Sequence, residues 1–381
     1  MNKKNQIRLF KPSFNNDEIK SIKEVFKSPW LGYGEKVKEF ENKFSKFIGS
    51  NYTIGLNSCT AALHLSIAVN NFKRKKKVLV PVMTFSATAA SVLYEGLEPI
   101  FVDINENNLN INFENLKKKY TKDCVAVIAV HFGGHACEMD KIVKWAKKKK
   151  LIVIEDCAHT CGSDFKGKKL GTWGDFGCYS FEDKKIISTG DGGSLCTNDK
   201  KKYKLLQSIS FHGWSKDPWE RHIKSNQNKH WYYEVKNLGY KYNMTNLIAS
   251  IAISQLQKLS KFNKIRIKLI KNYINRLQKL KNFELAIDYK LENSCYWLFI
   301  LKTKKRDQFI NFLKSEGISS TVHLMPLNYH PLYKKYKGKT PVADKTWKEL
   351  VSIPLFIDLK KNQIDYIVGK IKQFDNNYND Y

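Results

Sequence analysis

Two adjacent lysines, Lys184 and Lys185, lie between a strand-like segment that ends in Ser180 and a glycine-rich turn at residues 190–193. Burial removes part of the hydration of a lysine amine, which lowers its pKa and enables it to attack a carbonyl carbon and form a Schiff base. The same pair is also what an exposed segment of a lysine-rich chain contains. The local sequence therefore leaves a nucleophilic lysine and a pair of solvated lysines as open alternatives.

An acidic residue and a histidine precede these lysines, at the end of another apolar segment. Asp156 follows the apolar run at residues 151–154, and His159 lies three residues further on. Ligands of open α/β sheets bind beyond the carboxyl ends of the strands, so a carboxylate at this point is a candidate binding group. Aspartates at such positions are often only turn or capping residues, and that alternative also stays open.

The elements that would position these residues alternate between helix and strand in the first two-thirds of the chain. The spacing of apolar residues predicts helices near residues 17–26, 37–48, 58–70, 86–94, 113–119 and 141–149. It predicts strands near residues 78–81, 99–102, 125–130, 151–155, 177–181 and 193–197. This alternation is typical of an α/β fold, with a mostly parallel sheet covered by helices on both faces.

The pattern changes near residue 245. A long helical pattern covers residues 247–280, and shorter segments follow it: strand-like at 296–301 and 319–323, helical at 306–316 and 363–374. We therefore expect a large domain at residues 1–245, which includes an N-terminal helical segment. A smaller α+β domain is expected at residues 246–381.

Together, Asp156, His159, Ser180, Lys185 and the turn at residues 190–193 resemble the sugar aminotransferases of the DegT/DnrJ/EryC1/StrS family, which have fold type I of the pyridoxal-phosphate enzymes. In that family a strand ends in Asp, a Gln or His follows three residues later, and a Lys lies five residues beyond the Ser of a later Ser-Phe. A Gly, an acidic residue and Gly-Gly close the pattern. The resemblance covers nearly the whole chain and implies a mostly parallel seven-stranded sheet in a large domain that binds pyridoxal 5'-phosphate.

The resemblance also implies a role for each of these residues toward the cofactor. Lys185 would hold pyridoxal phosphate as a Schiff base and carry protons in catalysis. Asp156 would pair with the pyridine nitrogen, and His159 would hydrogen-bond the phenolic oxygen. Ser180 would contact the phosphate.

Two earlier segments match the family as well. The segment Asn-Ser-Cys-Thr-Ala-Ala-Leu-His resembles the family's phosphate loop, where Ser58, Cys59 and Thr60 would bind phosphate at the N-terminus of a helix. Cys59 replaces the usual Gly, which leaves a backbone role open. Phe85 lies in a Thr-Phe-x-Ala-Thr match and would stack on the pyridine ring, with a plain core aromatic as the alternative.

The second half of the chain supplies further candidates. Residues 238–246 resemble a loop that, in relatives, reaches across a homodimer to the neighbouring phosphate, and Lys241 and Asn243 are the candidates here. His323 lies in a segment that resembles the substrate-facing part of the small domain, and it is the predicted substrate contact. Trp30 is a second candidate for the substrate.

The resemblance implies an aminotransferase that moves an amino group from glutamate to a nucleotide-linked keto sugar, such as a 4-keto-6-deoxyhexose, for glycan or lipopolysaccharide biosynthesis. Two alternatives stay open. A sugar 3-dehydratase of the same fold has His in place of the Schiff-base lysine, so Lys185 argues against it. A non-catalytic regulator would have no need of the complete residue set. The nucleotide, the sugar and the carbon that is aminated depend on loops such as residues 213–229.

The net charge of +30, from 66 basic and 36 acidic residues, is the most prominent feature of the composition. Nucleic acid, an anionic substrate and a lysine-rich surface could each account for it. The basic runs lie in or beside predicted surface helices and form no aromatic-interleaved stripe, which favours a solvated surface. Part of the charge would suit the diphosphate of a nucleotide sugar, and we expect no nucleic-acid partner.

Several classes of protein are disfavoured by the remaining sequence features. The longest apolar runs, such as residues 125–130, are far too short to cross a membrane, and no apolar segment follows the N-terminal residues. The eight cysteines form no C-x-x-C pair, so we expect reduced thiols and a cytoplasmic protein. His131 and His135 are separated by Gly-Gly and share no helix face, so we expect no metal.

Overall fold

The computed structural model describes residues 6–215, 219, 231–289 and 295–380. The strands of the first part of the chain are β1 Tyr52–Leu56, β2 Lys77–Pro81, β3 Glu98–Val102, β4 Cys124–Val130, β5 Ile152–Asp156, β6 Asp164–Phe165, β7 Lys168–Lys169, β8 Phe176–Ser180 and β9 Gly193–Thr197. The two short strands β6 and β7 form a separate hairpin. The other seven form one sheet in the order β1-β9-β8-β5-β4-β2-β3.

Only β9 of this sheet runs antiparallel to its neighbours, β1 and β8. The pairs β5–β8, β4–β5, β2–β4 and β2–β3 are parallel. The predicted mostly parallel seven-stranded sheet is confirmed. Because β5 and β8 are parallel neighbours, Asp156 and Ser180 lie at the same edge of the sheet.

Helices pack on both faces of the sheet. The helices of this part of the chain are α1 Asn16–Phe26, α2 Glu35–Ile48, α3 Cys59–Ala68, α4 Ser86–Tyr94, α5 Phe113–Lys119, α6 Met139–Lys149 and α7 Lys200–Ile209. Alternate residues of β2 enter different hydrophobic cores, with Val78 and Val80 in one and Leu79 in the other. This alternation shows that both faces of the sheet are buried, as a strand's period of two requires.

The second part of the chain begins with a long helix, α8 Asn246–Leu277, whose N-cap Thr245 accepts a hydrogen bond from the N–H of Ile248. It packs on α1 and α2. A three-stranded antiparallel sheet follows, with β10 Glu284–Leu285, β11 Phe299–Lys302 and β12 Leu350–Ile353. Helices α9 Arg306–Ser315, α10 Pro341–Thr346 and α11 Lys361–Asn376 complete this part.

The N-terminal residues lie beside this smaller sheet. Ile7 donates its N–H to the carbonyl of Gly317, and the N–H of Leu355 bonds to the carbonyl of Leu9. The predicted strand at residues 319–323 does not form, because only Thr321 pairs with β12, in a single bridge. Within the described residues, no helix is both long and apolar enough to cross a membrane.

Candidate active site

The amine of Lys185 is desolvated by its surroundings although the residue keeps some exposed surface, whereas Lys184 is exposed. The Lys184 side chain is 58% exposed and its Nζ lies 3.7 Å from Glu182 Oε1. Burial lowers the pKa of the Lys185 amine to about 8, although the acidic groups of Glu182 and Asp156 oppose that shift. Lys184 is therefore the solvated lysine. Lys185 is the desolvated amine, of the kind that attacks carbonyl groups.

Asp156 ends β5 and is buried. Its carboxylate accepts hydrogen bonds from the Ala158 N–H at 3.1 Å and from Thr88 Oγ1 at 2.9 Å. Burial raises the pKa of this carboxyl above its usual range. It forms no ion pair with any side chain in the described part of the chain. A buried carboxylate without a cation favours binding of one, and the protonated pyridine nitrogen of pyridoxal phosphate has that character.

His159 is held in one tautomer. Its Nδ1 accepts the N–H of Gly133 at 3.2 Å, so a neutral ring carries its proton on Nε2. Burial, followed by the charge of Lys185, lowers the pKa of His159 well below its usual value. A neutral imidazole with Nε2–H is a hydrogen-bond donor, which fits the predicted contact to a phenolic oxygen.

The N-terminus of α3 offers an anion site. Ser58 caps the helix by accepting the Ala61 N–H at 3.1 Å. The N–H groups of Cys59 and Thr60 have no partner among the described residues, so they remain free to bind a phosphate. Gly193, the pairing partner of Ser180, packs directly on this turn, because a Cβ there would lie 2.5 Å from Cys59 N.

Phe85 precedes α4 and is 61% exposed. It is not a core residue, which removes the structural alternative for this position. Its ring makes no aromatic contact among the described residues and is therefore available to a ligand.

Trp297, which the sequence did not single out, lies against Lys185 and packs among other aromatic rings. The Trp297 indole stacks on His159, with ring centroids 4.1 Å apart, and on Phe10 at 5.1 Å. His323 meets the indole edge-on at 5.2 Å and shares a hydrogen bond of 2.9 Å with Ser352 Oγ. Burial, with the charge of Lys185, lowers the pKa of His323 to about 4. No sequence pattern marked Trp297, since it reads as a core aromatic in a strand-like run.

Three other predicted residues, Trp30, Lys241 and Asn243, lie together in a separate cavity. This cavity has a volume of about 370 Å³, and its lining does not include Lys185. Asn243 Oδ1 is buried and has no hydrogen-bond partner among the residues that the structure describes. The N–H of Asn57 bonds to the carbonyl of Tyr242, which ties this loop to the turn before α3. Most of the predicted specificity segment 213–229 lies outside the described residues.

A third buried group, made of His131, Glu155 and Cys157, has ligand-type atoms within 4.8 Å of one another. Both oxygens of Glu155 are already engaged, because they accept N–H groups from Gly171 and Gly174, among others, and Oε2 contacts His131 Nε2 at 3.2 Å. Burial raises the pKa of Cys157 well above its usual value. The Cys157 thiol is therefore protonated, and both oxygens of Glu155 already accept hydrogen bonds. We interpret this group as a hydrogen-bond network that stabilises the end of β5.

The sheet order, the desolvated lysine beyond β8 and the carboxylate at the end of β5 define a transferase of pyridoxal-phosphate fold type I. Comparison with known proteins identifies the family within that class. The model of the DegT/DnrJ/EryC1/StrS aminotransferase family matches residues 12–372. The chain therefore belongs to this family.

Relatives of the chain match it over nearly its full length. The spore coat polysaccharide biosynthesis protein SpsC of Bacillus subtilis strain 168 is 33% identical over 372 residues, covering 95% of each chain. The GDP-perosamine synthase of Escherichia coli O157:H7 is 30% identical over 372 residues, covering 97% of this chain and 98% of the enzyme. Both identities support an enzyme of the sugar aminotransferase type.

A solved structure has the same fold. A putative sugar aminotransferase from Streptococcus pneumoniae, Spr1654, superposes in its PMP form with a TM-score of 0.90 at 27% identity, covering 97% of this chain and 99% of that chain. Its PLP form superposes with a TM-score of 0.89. The desolvated lysine, the carboxylate without a cation and the free helix N-terminus are consistent with a cofactor of this kind.

Proposed function

We propose that this protein transfers an amino group from glutamate to a nucleotide-linked keto-deoxysugar, with pyridoxal phosphate as its cofactor. The observation that carries the proposal is the desolvated amine of Lys185, which has a pKa lowered to about 8 and lies in one group with Asp156 and His159. That combination suits covalent attachment of an aldehyde and proton transfer near neutral pH.

Each residue of the group has a distinct role in the proposal. Bound pyridoxal phosphate supplies an electron sink for the bonds at the amino-bearing carbon. Asp156 would keep the pyridine nitrogen protonated, and His159 would donate its Nε2–H to the phenolic oxygen. The amine of Lys185 would bind the cofactor and, once released, move the proton between the substrate Cα and the cofactor C4′. Ser180 and the N–H groups at the start of α3 would hold the phosphate.

The acceptor is proposed to be a nucleotide-linked 4-keto-6-deoxyhexose. One relative is named a GDP-perosamine synthase and another a polysaccharide biosynthesis protein, which supports a nucleotide-linked sugar. The cavity that contains Trp30 and Lys241 offers an aromatic ring and a cation, groups that suit a base and a diphosphate.

We further propose a homodimer in the cytoplasm with active sites shared between subunits. Lys241 and Asn243 line a cavity that excludes Lys185 of their own chain, which supports a role at a neighbouring site. The eight free, buried cysteines support a reducing compartment.

The test is an assay of amino transfer with matched lysine variants. The purified protein, pyridoxal phosphate and glutamate are incubated with a panel of nucleotide-linked keto sugars, and the products are identified by mass spectrometry and NMR. Lys185→Ala should abolish transfer and the borohydride-stable link to the cofactor, whereas Lys184→Ala should keep both. A link that persists in Lys185→Ala would contradict the assignment.

The same assay separates the two alternatives. A sugar 3-dehydratase would release a product that has lost water and gained no nitrogen. A regulator without catalytic activity would give no product with any sugar of the panel, although it could still bind the cofactor.

A further inference from the structure

The Lys185 amine has one neighbour that neither the family pattern nor the proposed catalytic roles include. Its Nζ lies 3.7 Å from the centroid of the Trp297 ring. No hydrogen bond or ion pair of this Nζ occurs among the described residues, although Asp156 and Glu182 are close enough to influence it. The indole is therefore the direct contact of a buried ammonium group. The negative face of an indole attracts cations more strongly than any other aromatic side chain does.

Trp297 is itself fixed from several sides. Its Nε1 donates to the carbonyl of Lys184 at 2.7 Å, and its own N–H donates to the carbonyl of Gly133 at 2.9 Å. The ring is 5% exposed and stacks on His159 and Phe10. The indole thus contacts both lysines: it donates a hydrogen bond to the backbone carbonyl of Lys184, and its ring lies against the amine of Lys185.

The other basic groups beside the ring are neutral. Burial lowers the pKa of both His159 and His323, and the charge of Lys185 lowers each further. Lys185 is thus the cation that the indole holds in this cluster.

We propose that Trp297 is a positioning residue, whose indole holds the Lys185 ammonium whenever that amine is not bonded to the cofactor. The contact stabilises the protonated amine and keeps it beside His159, so that a proton is available at the site where the lysine acts. Its mechanistic meaning rests on the proposed aminotransferase function, but the contact itself belongs to the chain alone and is measurable without turnover.

The experiment measures the pH dependence of Lys185 acetylation in the full-length protein after dialysis away from carbonyl compounds. Trace acetic anhydride labels both lysines, mass spectrometry reads each site, and the exposed Lys184 serves as the internal reference. Trp297→Leu removes the ring and should lower the pKa of Lys185. The acetylation rate at pH 7 should then rise about fivefold, since a desolvated cation–π contact is worth about 1–2 kcal/mol.

Two further variants separate positioning from folding. Trp297→Phe keeps a weaker aromatic face and should fall between wild type and Trp297→Leu, an order that loss of packing alone does not predict. Trp173→Phe is the matched control, because Lys168 Nζ lies 5.2 Å from the Trp173 ring at the surface and the change should leave Lys185 unaffected.

The outcomes distinguish the two proposals. An unchanged Lys185 profile in folded Trp297→Leu, or an equal change in Trp173→Phe, would overturn the role of Trp297 even if amino transfer is observed. A lowered pKa in a protein that transfers no amino group would support the contact and count against the function. In an active enzyme, Trp297→Leu should also move the acid limb of the amino-transfer rate to lower pH.

Discussion

At the scale of single residues, Lys185 is a destabilising feature of the folded chain. Its pKa is lowered by burial from 10.5 to about 8, so below pH 8 folding must bury an ammonium group that is fully hydrated in the unfolded chain. Between pH 8 and 10.5 the unfolded state binds more protons than the folded state. The free energy of unfolding should therefore rise with pH in that window.

Lys185→Met tests this cost in the cofactor-free protein. At pH 7 the variant should be more stable than wild type by about 2–3 kcal/mol, because an apolar side chain of similar length replaces the buried cation. The difference should shrink as the pH approaches 10, where the wild-type amine is neutral. Urea unfolding at pH 7 and pH 9.5 measures it.

The neighbouring lysine provides the control for that measurement. Lys184→Met changes an exposed side chain and should alter stability by less than about 0.5 kcal/mol. If the free energies of unfolding of Lys185→Met and wild type differ by the same amount at both pH values, the amine does not have the lowered pKa that burial gives it.

At the scale of elements, the phosphate site depends on how closely β9 approaches α3. A Cβ at Gly193 would lie 2.4 Å from the carbonyl carbon of Ser58 and 2.5 Å from Cys59 N, so Gly193→Ala must displace the N-terminus of the helix. The expected result is a loss of affinity for pyridoxal phosphate of at least about tenfold, or ~1.4 kcal/mol. Pyridoxal without phosphate should be much less affected. Fluorescence titration of both compounds measures the difference.

A glycine elsewhere controls for the substitution itself. A Cβ at Gly369, within α11, meets no atom within 4 Å. Gly369→Ala should leave cofactor affinity unchanged and stabilise the helix by roughly 0.5–1 kcal/mol. Equal losses of affinity for pyridoxal and its phosphate in Gly193→Ala would place the damage outside the phosphate site.

At the scale of the whole molecule, the two groups of predicted residues suggest a site completed by a second subunit. The prediction is complementation between two inactive variants, Lys185→Ala and the double variant Lys241→Ala/Asn243→Ala. Mixed after brief denaturation and refolding, they should form heterodimers that contain one intact site and regain activity. If all these residues serve the site of their own chain, no mixture recovers activity.

Exposed apolar side chains of the same region give a second readout of assembly. Leu238 is 86% exposed, near Lys241 in the chain, and Leu238→Asp should shift the protein from dimer to monomer in light scattering. Leu332 is 61% exposed and distant from Leu238 in the chain, and Leu332→Asp should leave the proposed dimer intact.

The apolar pattern by itself predicted six of the seven strands of the large sheet, because each pattern reports the burial of its own element. It did not predict β1 Tyr52–Leu56, which pairs with β9 at the edge of the sheet. The resemblance to the family pattern, whose spacing runs from Asp156 to the turn at residues 190–193, selected Lys185 over Lys184. The strand predicted at residues 319–323 failed because β12 offers that segment a single bridge at Thr321, which local composition does not reveal.

Only the tertiary structure decided which groups meet. Trp297 lies more than a hundred residues from Lys185 in the chain, and its contacts with Lys184, His159 and Phe10 arise from the packing of the smaller sheet and the N-terminal segment against the large domain. Burial, which lowers the pKa of Lys185, is likewise a property of that packing. The sequence could identify Lys185 as a candidate. The desolvation of its amine and the contact with the Trp297 indole depend on which residues lie close together in the folded chain.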